Sequence, residues 1–229
     1  MKFLVISDLH GNIPMLDKLD GEFKSADAVL FAGDFAEFNH PETGTPALEA
    51  LCKKHETIFS VIGNCDEPDF LEEIEKKDIS VEDTLVYHDG LYFAGSGGGS
   101  EFKGTTPNER TDEELLSDFN IVENTKEGGG DGRWNNLILI MHNPPKDTKC
   151  DAVSPTVHVG SPLLRRFIEE KAPLAVVTGH IHEAVAIDTI GGTVVINPGP
   201  LADGYYAVME VEKDGGVWKV TRAGLKKAD

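Results

Sequence analysis

A chain of 229 residues, 40% of them hydrophobic, is long enough to bury one sizeable core, and no linker-like stretch divides it, so residues 1–229 read as one domain. The formal net charge of −19, with no run of Lys and Arg to track phosphates, sets duplex nucleic acid and anionic membranes aside as partners. Three cysteines, Cys52, Cys65 and Cys150, are odd in number and share no C-x-x-C spacing, which argues against a disulfide framework and a zinc ribbon.

Along the chain, short apolar runs recur at Phe3 to Ile6, Ala28 to Ala32, Ile58 to Ile62, Leu137 to Met141 and Leu174 to Val177. Bounded by Gly or polar turns, they read as strands buried on both faces. The first run is too short for a signal-peptide core, and no segment approaches a membrane span, so the expected location is the cytoplasm. Helix-like stretches at about 14–24, 45–55 and 68–77 separate the early strands, and this βαβα alternation predicts a sheet with helices on its faces. Residues 104–133 break the rhythm with many charges, a helix from Thr111 to Glu123 and the run Gly128-Gly-Gly-Asp-Gly. They are expected to form a surface excursion with a mobile Gly loop or a lid. Val185 to Ile196 reads as two strands around Gly191-Gly192, and Tyr205 to Val211 with Val217 to Thr221 as a closing hairpin. A second sheet packed on the first follows, with helices outside both.

Each of the five buried runs is followed at once by groups of metal-ligand chemistry: Asp8-Leu-His10, Gly33-Asp34, Gly63-Asn64-Cys65-Asp66, His142 and Gly179-His180-Ile-His182. Ligands in open α/β sheets bind beyond the carboxyl ends of the strands, so these side chains are expected to converge. Gly-Asp alone is a common turn, and a lone His at a strand end is a common structural residue. In D-x-H and H-x-H, by contrast, alternate residues of an extended segment point the same way. Five such groups, each at a strand end, favour a metal site over a set of unrelated turns and caps.

In this order, D-x-H, G-D, G-N-x-D, a lone H and G-H-x-H resemble the calcineurin-like metallophosphoesterase superfamily. His142-Asn-Pro-Pro, His158-Val-Gly-Ser and Asn197-Pro-Gly-Pro are similar to phrases of its small prokaryotic, phosphodiesterase-like members. The resemblance implies a four-layer αββα sandwich of two mixed sheets flanked by helices. It also implies two divalent ions per chain, with Asp8, His10 and His182 on one, Asn64, His142 and His180 on the other, and Asp34 bridging. A hydroxide between the ions would attack a small phosphoester, a diester rather than a monoester. Imidazole and oxygen donors suit Mn²⁺ first, with Fe, Ni²⁺, Co²⁺ or Zn²⁺ as alternatives. A non-catalytic scaffold of the same fold, which binds a protein partner, is the rival reading, and seven filled ligand positions speak against it.

Where much of the superfamily has a proton-donating His, this chain has Cys65, either a weak donor or a small hydrophobe filling a tight loop. His158, in the loop after the fourth run, is expected either to reach the crevice as acid or phosphate ligand or to remain a loop residue. His40, His55 and His88 read as surface residues, and Asn12 as a helix N-cap before Pro14.

Overall fold

The computed structural model describes residues 1–125 and 132–228. Most of the Gly128–Gly132 run therefore lies outside the described residues. The first half runs β1 (Lys2–Ile6), α1 (Pro14–Lys18), α2 (Asp20–Ser25), β2 (Ala28–Phe31), α3 (Gly44–Cys52), β3 (Ile58–Ser60) and α4 (Leu71–Lys76). Then come β4 (Val86–His88), β5 (Leu91–Ser96), β6 (Gly99–Ser100), β7 (Glu109–Arg110), α5 (Asp112–Ser117) and α6 (Asn120–Asn124). The rest is β8 (Leu137–Met141), β9 (Ala152–Ser154), β10 (Val157–His158), α7 (Pro162–Lys171), β11 (Ala175–Val177), β12 (Ala186–Ile190), β13 (Thr193–Asn197), β14 (Tyr205–Asp214) and β15 (Val217–Lys227).

Two mixed sheets result, ordered β15-β14-β1-β2-β3 and β12-β13-β11-β8-β5-β4. Strands β1, β2 and β3 are mutually parallel in the first, and β5, β8, β11 and β13 in the second. The period-2 alternation of each strand sorts its side chains between layers. Phe3 and Val5 of β1 pack with Ile138 and Ile140 of β8 between the sheets, whereas Leu4 and Ile6 face Leu16, Phe23, Leu48 and Ile74 in an outer helical layer. On the far side, Leu137, Leu139 and Met141 of β8 meet Leu164, Phe167 and Ile168 of α7. Three apolar layers between four layers of elements give the αββα sandwich.

Three expectations are corrected. Within the expected excursion at 104–133, Leu115, Phe119 and Val122 are buried in the outer layer of the second sheet, so the Thr111–Asn124 stretch is part of the sandwich. Thr111 does cap α5, its hydroxyl accepting from Glu114 N, but the helix breaks before α6. Asn12 does not cap α1; its Nδ2 donates to the Ala202 carbonyl at 2.9 Å. Strands β4 and β5 add the far edge of the second sheet, in a stretch whose Ala94-Gly-Ser end is weak in strand propensity. Among the described residues no helix is long and apolar enough to cross a membrane.

Candidate metal centre

The carboxyl ends of β1, β2, β3, β8 and β11 open on one side of the sandwich, and the loops leaving them carry all seven residues. Each loop turns sharply. Asp8, His10, Asp34 and His180 have φ of 54°, 46°, 62° and 67°, a left-handed region that non-glycine residues seldom enter and that Asp and His tolerate better than most. These turns are held by other loops. Asp8 N donates to Gly33 O at 2.9 Å, and His10 N to Asp34 O at 3.1 Å. The Asn197-Pro-Gly-Pro turn lies beneath them. Leu201 N donates to Ser7 O at 2.8 Å, Ala202 N to Asp8 O at 3.0 Å, and Asn197 Nδ2 to Ile181 O at 2.9 Å.

Asp66 organises the loops after β2 and β3, a role its place at the end of G-N-x-D did not reveal. Its fully enclosed carboxylate accepts from the backbone N–H groups of Gly63 (2.8 Å), Ala36 (2.8 Å), Asp34 (3.1 Å) and Phe35 (3.2 Å). Gly63 lies against Asp34 so closely that any Cβ there would overlap the Asp34 carboxylate. Cys65 N then donates to Asp34 Oδ1 at 2.8 Å and aims that carboxylate at the centre.

Asp8 and Asp34 are 1% and 2% exposed, yet both face imidazoles. His182 Nε2 stands 3.4 Å from Asp8 Oδ1, His142 Nε2 3.5 Å from Asp34 Oδ2, and His10 Nε2 3.7 Å from the same oxygen. Burial opposes their ionisation, but for Asp8 the His182 hydrogen bond, and for Asp34 the charge of His142, prevail and hold both carboxyls below their usual range. Burial likewise opposes charge on His142, and the Asp34 carboxylate overcomes it, raising the imidazole to about 9. His180, enclosed and beside the charged His142, is pushed down to about 4. The buried carboxylates thus favour positive charge on the His142 and His182 imidazoles that face them.

The donor set fits divalent cations. Asp8, His10 and His182 offer ligand atoms within 4.8 Å of one another, and so do Asp8, Asp34 and His142. His142 donates Nδ1–H to the Ala32 carbonyl at 2.6 Å, and His10 Nδ1 lies 3.2 Å from the Ala36 carbonyl, so both rings direct Nε2 inward. Asn64 Oδ1, 2.8 Å from His142 Nε2, adds a neutral oxygen. His180 joins none of the groups within 4.8 Å found among the described residues, but its ring lies tilted against that of His142, with centroids 5.2 Å apart.

A wall covers this second half of the centre. β6 pairs in parallel with β7, Asn108 N donates to Asn64 O and its Nδ2 to Gly63 O, and Ser100 N donates to Asn143 Oδ1. Gly99 is thereby pressed on Asn64 and His180; a Cβ on it would lie 3.1 Å from Asn64 Cβ and 3.3 Å from the His180 ring.

The two other candidates differ. His158 joins none of the ligand groups found among the described residues: its Nδ1 bonds the fully buried Asp151 at 2.7 Å, which raises its pKa. Cys65 is brought in. Its buried thiol is pushed far up, by burial first and then by Asp34, and its Sγ lies within 4.8 Å of ligand atoms of His10 and Asp34.

The model of the calcineurin-like phosphoesterase family matches residues 1–184, and the chain belongs to that family, whose activity is metal-dependent phosphoester hydrolysis. It is 32% identical over 222 residues to the uncharacterized protein MJ1162 of Methanocaldococcus jannaschii, covering 93% of this chain and 94% of that one. Among solved structures it resembles the protein TT1561 of Thermus thermophilus, with a TM-score of 0.71 at 16% identity over 100% of this chain and 99% of that one. It also resembles a dimetal phosphatase from Danio rerio, with a TM-score of 0.59 at 12% identity over 100% and 99%.

Proposed function

We propose that this chain hydrolyses small phosphodiesters with two divalent ions, one on Asp8, His10 and His182, the other on Asn64, His142 and His180, and Asp34 between them. One observation carries the reading: two almost completely buried carboxylates stand within 3.4–3.7 Å of three imidazole nitrogens at the mouth of both sheets. A buried charge needs a partner, and this cluster is disposed for cations. Such ions, when bound, polarise phosphoryl oxygens and lower the pKa of water. Asp34 orients toward both halves, held by Cys65 N, while His10 and His142 are fixed by the Ala36 and Ala32 carbonyls. The wall from Gly99 to Arg110 limits access to the second half.

The preference for diesters rests on position 65. A buried thiol that retains its proton this firmly gives little to a departing alkoxide, so substrates whose leaving oxygen is already acidic, such as aryl phosphodiesters, suit this site. Mn²⁺ matches the oxygen and imidazole donors.

Replacing Asp34 by Asn tests the proposal, since it changes charge and hardly volume. Aryl-phosphodiester hydrolysis in Mn²⁺ should vanish and elemental analysis should find both ions depleted, with the circular dichroism unchanged. A variant that keeps its metal and its activity would refute the shared-carboxylate reading.

A further inference from the structure

The seven-residue set contains no sulfur, but the centre does. Cys65 Sγ, a carboxylate oxygen of Asp34 and a ring nitrogen of His10 lie within 4.8 Å of one another, a third group of the same kind as the two already described. It shares His10 and Asp34 with the rest, so its thiol is a neighbour of the first ion's ligands and not a separate site. The loop gives Sγ little freedom: Cys65 N is pinned on Asp34 Oδ1 at 2.8 Å, Asn64 Nδ2 approaches Sγ at 3.7 Å, and the residue is 9% exposed. The two other thiols stand elsewhere. Cys150 is buried against Ala186 O and Val195 O in the second sheet, and Cys52 ends α3.

Resting on the proposed metal centre, we infer that Cys65 is an additional ligand, its thiolate joining His10 and Asp34 on the first ion when a thiophilic metal is bound. The bond forms between sulfur and M²⁺ as the S–H bond breaks, and the proton leaves to solvent, so one proton is released for each thiolate that joins the ion. The consequence is metal selection. A thiolate among imidazole and carboxylate donors favours Zn²⁺, Cd²⁺ and Co²⁺ over Mn²⁺ and Mg²⁺. Losing an outer-shell partner already costs about 10–100-fold in metal affinity, so losing a direct sulfur ligand should weaken Cd²⁺ by at least that range. Mn²⁺, which gains little from sulfur, should change by a few-fold only.

The test is spectroscopic. Metal-free protein titrated with Co²⁺ should develop visible ligand-field bands together with a near-ultraviolet sulfur-to-cobalt charge-transfer band. Cys65→Ser should keep the first and lose the second, and its Cd²⁺ affinity should fall while its Mn²⁺ affinity holds. X-ray absorption of the zinc-loaded Cys52→Ser variant, in which residue 65 is untouched, should show a sulfur neighbour at about 2.3 Å beside nitrogen and oxygen at about 2.0–2.2 Å. That measurement decides the matter even if Cys65→Ser fails to fold. Bound cobalt with ligand-field bands alone, and zinc with only light-atom neighbours, would overturn the sulfur ligand and leave the metal centre standing. No bound metal at all would overturn the proposed centre itself, and this inference with it.

Discussion

Single residues divide the work of the centre between holding and presenting. Asp66 faces no cation, yet four backbone N–H groups from two loops end on its carboxylate. Asp66→Asn would place an amide donor against some of those donors. One charge-assisted hydrogen bond is worth about 1.5–3 kcal/mol, and urea unfolding should show at least that loss, with metal affinity reduced alongside it. His142 links the centre to pH. Its imidazole, raised from 6.5 to about 9 by Asp34, stabilises the metal-free fold fully below pH 6.5 and loses that effect as pH climbs toward 9. The metal-loaded protein should respond in the opposite sense across this window, because fewer protons compete for Nε2. Thermal midpoints with chelator and with Mn²⁺, compared at both ends of the window, should therefore move apart. Parallel curves would remove His142 from the ligand set.

At the level of elements, the strand ends were legible because strands covered on both faces are written as unbroken apolar runs, and each of five such runs is followed directly by a candidate group. What those groups rest on was not legible. The left-handed backbone at Asp8, His10, Asp34 and His180 is imposed by neighbouring loops, and β6 owes its position to Asn143 and, through Asn108, to Gly63 and Asn64, all distant from it in sequence. No local propensity encodes such contacts. A long-range bond from Cys65 N to Asp34 brings Cys65 into the centre, whereas His158 is bonded by Asp151, only seven residues before it. The wall strand offers the element-scale test. Gly99→Val would drive a branched side chain into Asn64 and the His180 ring, displacing two ligands of the second ion. Elemental analysis should then find a fall from about two ions per chain to about one. Retention of both would separate β6 from the centre.

For the whole molecule, a charge of −19 surrounds a centre meant for anions. The field beyond the crevice repels a phosphoester until the substrate comes close, and salt screens it over about 8–10 Å at 0.10–0.15 M ionic strength. Accordingly kcat/KM for an anionic diester should rise as inert salt is added up to that range, while kcat changes little. A fall would mean that the local field of the ions extends well outside the crevice.

The seven residues also join the two sheets. Asp8, His10, Asp34 and Asn64 leave strands of the first, and His142, His180 and His182 leave strands of the second. The sheets otherwise meet through apolar side chains, which resist separation but offer little directional resistance to sliding. Ions held there as proposed would act as a rivet at one end of the sandwich, so occupancy would set mechanical stiffness as well as chemistry. At the opposite end Trp218 packs on Gly90, and no such ligand cluster stands there among the described residues, so that end would keep its compliance whether or not the rivet is in place.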